Sequence, residues 1–302
     1  MFGSLARGEW TQGSDLDWTL LVDGQVVGEH ADIAHRIADI VQGDKKTPGP
    51  TGVFGGLTFS HDIVHFIGGD DDTNTNTTRR ILLLLESKSL GDDTVRERVL
   101  RAVLSRYVGE DLLYHEPSKY YVPRFLLNDY VRYWRMMAVD SAQKRRERTA
   151  KWALRNVKLR LSRKLIFVAG FWACLSCRFN PSADLKTSRE KDNREGVRAD
   201  MTDFLFSFCQ QSPLETVASA FIRYEAWDAA KRSFDAYEDF LKILDDPGER
   251  SRLEELKTAD AMSDDTFKRA KKDAEEFQEG LTKLFFETDN ALTSMAQIAG
   301  VF

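Results

Sequence analysis

No apolar run in this 302-residue chain is long enough to cross a bilayer: the longest, Leu165 to Leu175, falls short of the about 20 residues required and is flanked by basic residues. It reads as a buried helix. No charged leader followed by an apolar stretch opens the sequence, so no secretory signal is visible and the cytoplasm is the expected location. Cysteine is scarce and odd in number (Cys174, Cys177 and Cys209), which excludes a disulfide framework and predicts reduced, mostly buried thiols. Cys174 and Cys177 have the spacing of a redox or zinc pair, but no second pair completes a tetrahedral site. The five histidines are scattered. His61 and His65 fall four apart in a segment that reads as strand, which argues against a helical metal pair and for packing or surface roles. No internal repeat is present.

Nor is one sign of charge in great excess. A formal net charge of −5 argues against a protein whose whole surface holds nucleic acid, but the distribution is uneven. Between Lys144 and Lys164 stand ten Lys or Arg and one acid, Glu147, so that segment carries +9 and the remainder −14. A basic stretch inside an acidic chain points to a local polyanion site, for a triphosphate or an oligonucleotide. Hydrophobic content of 42% and charged content of 30% describe an ordinary globular protein, and the length suits two modest domains.

Up to about residue 90 the patterns alternate. Asp15 to Val22 reads as a strand, Glu29 to Val41 as a helix with Ile33, Ile37, Ile40 and Val41 on one side, and Thr58 to Ile67 as a second long strand closed by Gly68-Gly69. A Gly- and Pro-rich loop spans Gly43 to Gly56, a polar loop spans Asp70 to Thr78, and Ile81 to Leu85 opens a buried helix. From Asp93 onward the pattern is helical over Val95–Val108, Phe125–Ala142, Thr149–Cys177, Ala199–Gln210, Pro213–Leu244 and Asp264–Ile298. A polar loop or lid is expected near 179–197, and Arg250 to Lys283 reads as a solvated helical hairpin or a face for a protein partner. The expected fold class is α+β: a small mixed β-sheet domain over residues 1–90, then a large helical domain over 91–302.

The chemistry concentrates at the start. Two carboxylates one residue apart, Asp15 and Asp17 in Asp15-Leu16-Asp17-Trp18, share one face of a strand and suit a divalent metal. The Gly3-Ser4 turn lets backbone amides and a hydroxyl approach a phosphate.

Phe2-Gly3-Ser4, a gap of about ten residues and Asp15-Leu16-Asp17-Trp18 together resemble the DNA polymerase β-like nucleotidyltransferase superfamily. Leu5-Ala6-Arg7-Gly8-Glu9 and Gly13-Ser14 are similar to bacterial members. The resemblance covers roughly the first 25 residues. Only Met1 and Phe2 precede Gly3, where the family has a longer strand, so the first strand is expected to be short or the chain truncated. The resemblance implies transfer of a nucleoside monophosphate from an NTP or dNTP to a hydroxyl, without a template, with Mg²⁺ (or Mn²⁺) held by Asp15, Asp17 and a third acid from a later strand, for which Asp62 is the choice. Glu86 and Asp70, Asp71 and Asp72 compete, the last three reading as a solvated loop.

Phosphate binding is expected from Gly3, Ser4 and Arg7, aided by Arg155, Lys158 and Ser162, which share a face of the helix beginning near Thr149. Lys158 is the choice for the lysine that the superfamily commonly supplies from its helical part, the alternative being a solvated basic face. Asn74, Asn76, Thr78, Arg79 and Arg80 are expected to contact ribose, base or acceptor, or to cap the helix that follows. The expected acceptor is a nucleotide or an oligonucleotide such as RNA. The resemblance also implies a setting in phage defence or as a toxin, with a transfer RNA 3′ end or a protein hydroxyl as other acceptors; a non-catalytic nucleotide sensor and a purely structural helical module are the remaining readings.

Overall fold

Two short parallel strands and a long succession of helices make up the chain in the computed structural model, which describes residues 1–43, 46–49, 52–114, 121–147, 151–179 and 194–300. The architecture is predominantly helical with one small sheet, compatible with α+β. Among the described residues no helix is long and apolar enough to cross a membrane.

The chain divides into two compact units. The first comprises Met1–Trp10, Ser14–Tyr133 and Ser176–Ser212. It holds α1 (Gly3–Arg7), β1 (Thr19–Val22), α2 (Gly28–Gly43), β2 (Gly56–Phe59), α3 (Ser60–His65), α4 (Asn74–Glu86), α5 (Thr94–Tyr114), the start of α6 (Arg124–Arg146) and α9 (Arg194–Cys209). Strands β1 and β2 pair in parallel from Thr19 opposite Gly56 to Val22 opposite Phe59. Parallel neighbours need a crossover, which α2 supplies. Its Ala34 and Val41 are buried with Trp18, and Leu16, Leu20, Ile37, Ala38 and Leu57 pack around them. The sheet is therefore parallel rather than mixed among the described residues.

Several expected elements differ. The ladder of β1 begins at Thr19, not Asp15. The expected strand Thr58 to Ile67 leaves β2 at Phe59 and turns into α3, where Ile63 and Val64 are buried while His61 and His65 are exposed, a helical rather than alternating pattern. The two imidazoles consequently sit together, ring centroids 4.9 Å apart, instead of being held apart on a strand. Helix α4 starts at Asn74, within the expected polar loop, because the Thr73 side chain accepts a hydrogen bond from the Asn76 amide. Glu195 to Val197 fall in α9; residues 180–193 of the expected lid lie outside the described residues.

Helices α5 and α9 pair tightly. Arg96 Nη2 donates to the Cys209 carbonyl at 2.9 Å, and the Arg101 guanidinium stands 4.0 Å over the Phe206 ring. All three cysteines are buried and stand outside any disulfide, and burial pushes the Cys209 thiol up to about 12.

The second unit comprises Thr11–Gly13, Trp134–Leu175 and Pro213–Phe302. It holds the rest of α6, α7 (Trp152–Arg160), α8 (Ser162–Ser176, but for its last residue), α10 (Pro213–Arg223), α11 (Trp227–Asp245), α12 (Pro247–Glu255), α13 (Asp265–Phe286) and α14 (Asn290–Gly300). Three long helices expected from the sequence are each broken: at Leu161, at the turn around Glu225 with its left-handed backbone (φ 51), and after Phe286. Amphipathic α11 and α13 form the main helix pair, approaching closely at Ser233 and Gly280. The loop Thr11–Gly13 lies under Arg250 of α12, whose Nη1 donates to Thr11 Oγ1 at 3.2 Å.

Candidate functional site

The first two residues run extended between Lys88 and Asp17. Met1 and Lys88 exchange main-chain hydrogen bonds at 2.9 and 3.0 Å, and the Phe2 amide donates to the Asp17 carbonyl at 2.8 Å. Phe2 is buried, its ring 4.8 Å from that of Phe54. The chain then turns at Gly3 (φ 69) into the single helical turn of α1, which ends on Gly8 (φ 76). The Gly-Ser pair thus opens a helical turn rather than closing a strand. A Cβ at Gly3 would stand 3.0 Å from Asp17 Oδ2, so glycine is needed here both for its backbone and for the space.

Alternation orients the two aspartates. The amide of Leu16 donates to the Lys46 carbonyl at 2.9 Å, and Leu16, Trp18 and Leu20 face the small core under α2. In an extended segment the intervening side chains point the other way, which puts Asp15, Asp17 and Thr19 on the opposite face. Asp15 is exposed and Asp17 partly so.

The charge of Asp17 acts on Glu86, at the end of α4. Burial is the main cause holding the Glu86 carboxyl above its ordinary range. Arg7 opposes that shift, and the charges of Asp17 and Glu9 add to it. Arg7 donates from Nε to Glu9 at 2.8 Å and pairs through Nη1 with Glu86, so the expected phosphate ligand is engaged by two glutamates.

Asp62 is on α3 and not on a strand, and its charge acts on Arg79. Arg79 in turn donates from Nε to the Val53 carbonyl at 2.7 Å. Asp72, expected in a solvated loop, is buried among the side chains of Arg80 and Arg132. Arg80 likewise is a core residue rather than a surface ligand. The signal was its position: on α4 it lies beside Thr77, Ile81 and Leu84, all buried.

In the second unit, Arg155 and Lys158 are half-buried on α7 and Ser162 opens α8. The Ser162 hydroxyl donates to the Lys158 carbonyl at 3.3 Å across the break at Leu161. The three residues therefore do not share one continuous helix face.

The donor set at the start of the chain is all oxygen, which suits magnesium; such an ion keeps its waters and needs only one or two protein carboxylates plus phosphate oxygens. Asp15 and Asp17 satisfy that number on one exposed face. Among the described residues no group of three or more His, Cys, Asp or Glu converges tightly enough to form a complete protein cage for a metal. Comparison with protein-family models, with curated proteins and with solved structures finds no match to this chain.

Proposed function

We propose that the chain is a nucleotidyltransferase that moves a nucleoside monophosphate from an NTP or dNTP to a hydroxyl acceptor, without a template. The observation that carries the reading is the seating of Gly3 against the Asp17 carboxylate, with Asp15 and Asp17 on the face turned away from the core. That seating supports reading Gly3-Ser4 and Asp15-Leu16-Asp17 as two parts of one site. The catalytic part is drawn from residues 1–90 and the substrate-holding helical part from residues 91–302.

Asp15 and Asp17 would hold Mg²⁺ or Mn²⁺, which when bound neutralises charge on the triphosphate during in-line displacement. Gly3 and Ser4 would offer backbone amides and a hydroxyl to the phosphates of the triphosphate. Arg7 fixes Glu86 next to Asp17, which makes Glu86 a rival to Asp62 for the third acid. The acceptor is a nucleotide or an oligonucleotide, in keeping with the basic Lys144 to Lys164 segment, and the defence or toxin setting follows from the resemblance.

The test is incubation with labelled NTPs and dNTPs, Mg²⁺ or Mn²⁺, and RNA or DNA primers. A product is expected from the wild type and none from Asp15→Asn/Asp17→Asn. Comparing Asp62→Asn with Glu86→Gln then identifies the third acid by which of them removes product formation. A folded protein that binds nucleotide but forms no product under any condition overturns the reading in favour of a sensor.

A further inference from the structure

A ladder of aromatic rings lies next to a row of cations in the second unit. Trp134 of α6 and Phe167 of α8 have ring centroids 5.5 Å apart at 31°. Phe167 and Phe171 stack at 6.1 Å and 22°, and Phe171 meets the edge of buried Phe285 at 5.5 Å. Trp134, Phe167 and Phe171 each keep part of their surface in solvent, while Phe285 anchors the inner end. Lys164, Phe167 and Phe171 recur at three and four residues and so share one face of α8; Arg163 is one turn before Phe167.

Among the described residues no carboxylate answers these cations. Arg160 and Arg163 form no ion pair there, and the Lys164 ammonium meets the neutral Gln278 side chain, at 2.5 Å. Burial and the neighbouring Arg160 charge hold Lys164 down at about 8, and no acid contributes to offset them. An anion seated here would relieve that repulsion.

We propose that this face binds single-stranded nucleic acid, with Arg160, Arg163 and Lys164 meeting the phosphates and Trp134, Phe167 and Phe171 receiving unstacked bases. A repeating row of rings beside a row of cations matches a strand, which offers a base and a phosphate at every step. A duplex keeps its bases stacked inside and has nothing to offer the rings. Within the proposed transfer reaction this strand is the acceptor, and that word alone rests on the reading above.

The test is fluorescence anisotropy of the full chain with labelled oligouridylate and oligothymidylate of about 12 nucleotides, a duplex of equal length, and polyglutamate as competitor, across a salt series. The two single strands distinguish RNA from DNA. Both variants are first checked for native circular dichroism. Arg160→Glu/Lys164→Glu is expected to lower the salt slope by roughly 1.4, about 0.7 for each phosphate that is no longer neutralised. Phe167→Leu/Phe171→Leu is expected to weaken single-strand binding roughly ten-fold with the slope unchanged. Asp15→Asn/Asp17→Asn leaves binding intact, so a protein that binds strands but transfers nothing keeps this surface and loses the transfer reading. Equal binding of duplex and single strand, equal competition by polyglutamate, no saturable binding, or an unchanged salt slope in the charge variant overturns the proposal.

Discussion

Arg80 and Asp72 face each other through two hydrogen bonds, 3.1 and 2.8 Å, with neither side chain reaching solvent. The remaining guanidinium hydrogens go to the Tyr107 hydroxyl at 2.7 Å, to Asp129 at 2.8 Å and to the Ile63 carbonyl at 3.4 Å, so all five donors are used. Tyr107 donates its own hydroxyl proton to Asp129, and Arg132 adds a second cation to Asp72. Removing the central cation would strand two carboxylates of low exposure. Arg80→Met is expected to cost about 3–5 kcal/mol in urea unfolding, against far less for the partly exposed Arg132→Met.

Gly3→Ala combines a left-handed backbone with a contact at 3.0 Å on Asp17 Oδ2. The backbone effect alone is about 1 kcal/mol. Global stability in chemical denaturation should fall by that order, while nucleotidyl transfer falls much further, because the displaced carboxylate is the one assigned to the metal. Gly8→Ala, which has a similar φ and open space, is expected to show the stability loss without the loss of transfer.

The carboxyl of Asp111 is pushed up to about 7 by burial, with the Phe125 and Arg124 amides and the Arg124 charge pulling the other way. The folded state therefore keeps a proton that the unfolded chain has lost. Between the ordinary aspartate value and about 7 the native state binds more protons, so stability falls as pH rises through that window. Each pKa unit is worth about 1.36 kcal/mol, so the loss is at most a few kcal/mol. Asp111→Asn should flatten this part of the profile, and its melting temperature should exceed that of the wild type above pH 7.

At Gly280 two effects oppose each other. Alanine improves helix propensity by about 1 kcal/mol, but a Cβ here would stand 2.0 Å from Ser233 Oγ and 2.6 Å from the Ala229 carbonyl. Overpacking of that kind costs about 1–3 kcal/mol and should win, lowering stability in Gly280→Ala. Ser233→Gly relieves only the first contact, so the double variant is expected to recover only in part.

The parts of the fold legible in the sequence were those with a sustained period. Glu29 to Val41 lies inside α2, and Val95–Val108 and Phe125–Ala142 lie inside α5 and α6, because their apolar positions recur over several turns. The burial of Cys174, Cys177 and Cys209 followed from their apolar surroundings. Thr58 to Ile67 was misread because a short run rich in β-branched and aromatic residues does not separate strand from helix; the three consecutive polar residues Ser60, His61 and Asp62 were the contrary signal. The break at Leu161 carries no proline or glycine to mark it. At the site, Asp15 and Asp17 stood out as a local pattern, whereas Glu86 and Arg7 meet across a separation of 79 residues that no local pattern encodes.

The first unit is discontinuous in sequence, with α9 arriving only after the chain has passed through α7 and α8. Arg96 on α5 waits for the carbonyl of Cys209, which lies 113 residues downstream. During synthesis the ribosome must therefore deliver the chain through Cys209 before that unit can close. Until then the apolar sides of α5 stand open, a vulnerable interval in which a nascent-chain chaperone would find its substrate. A gene cut after the sheet-bearing segment would make that interval permanent.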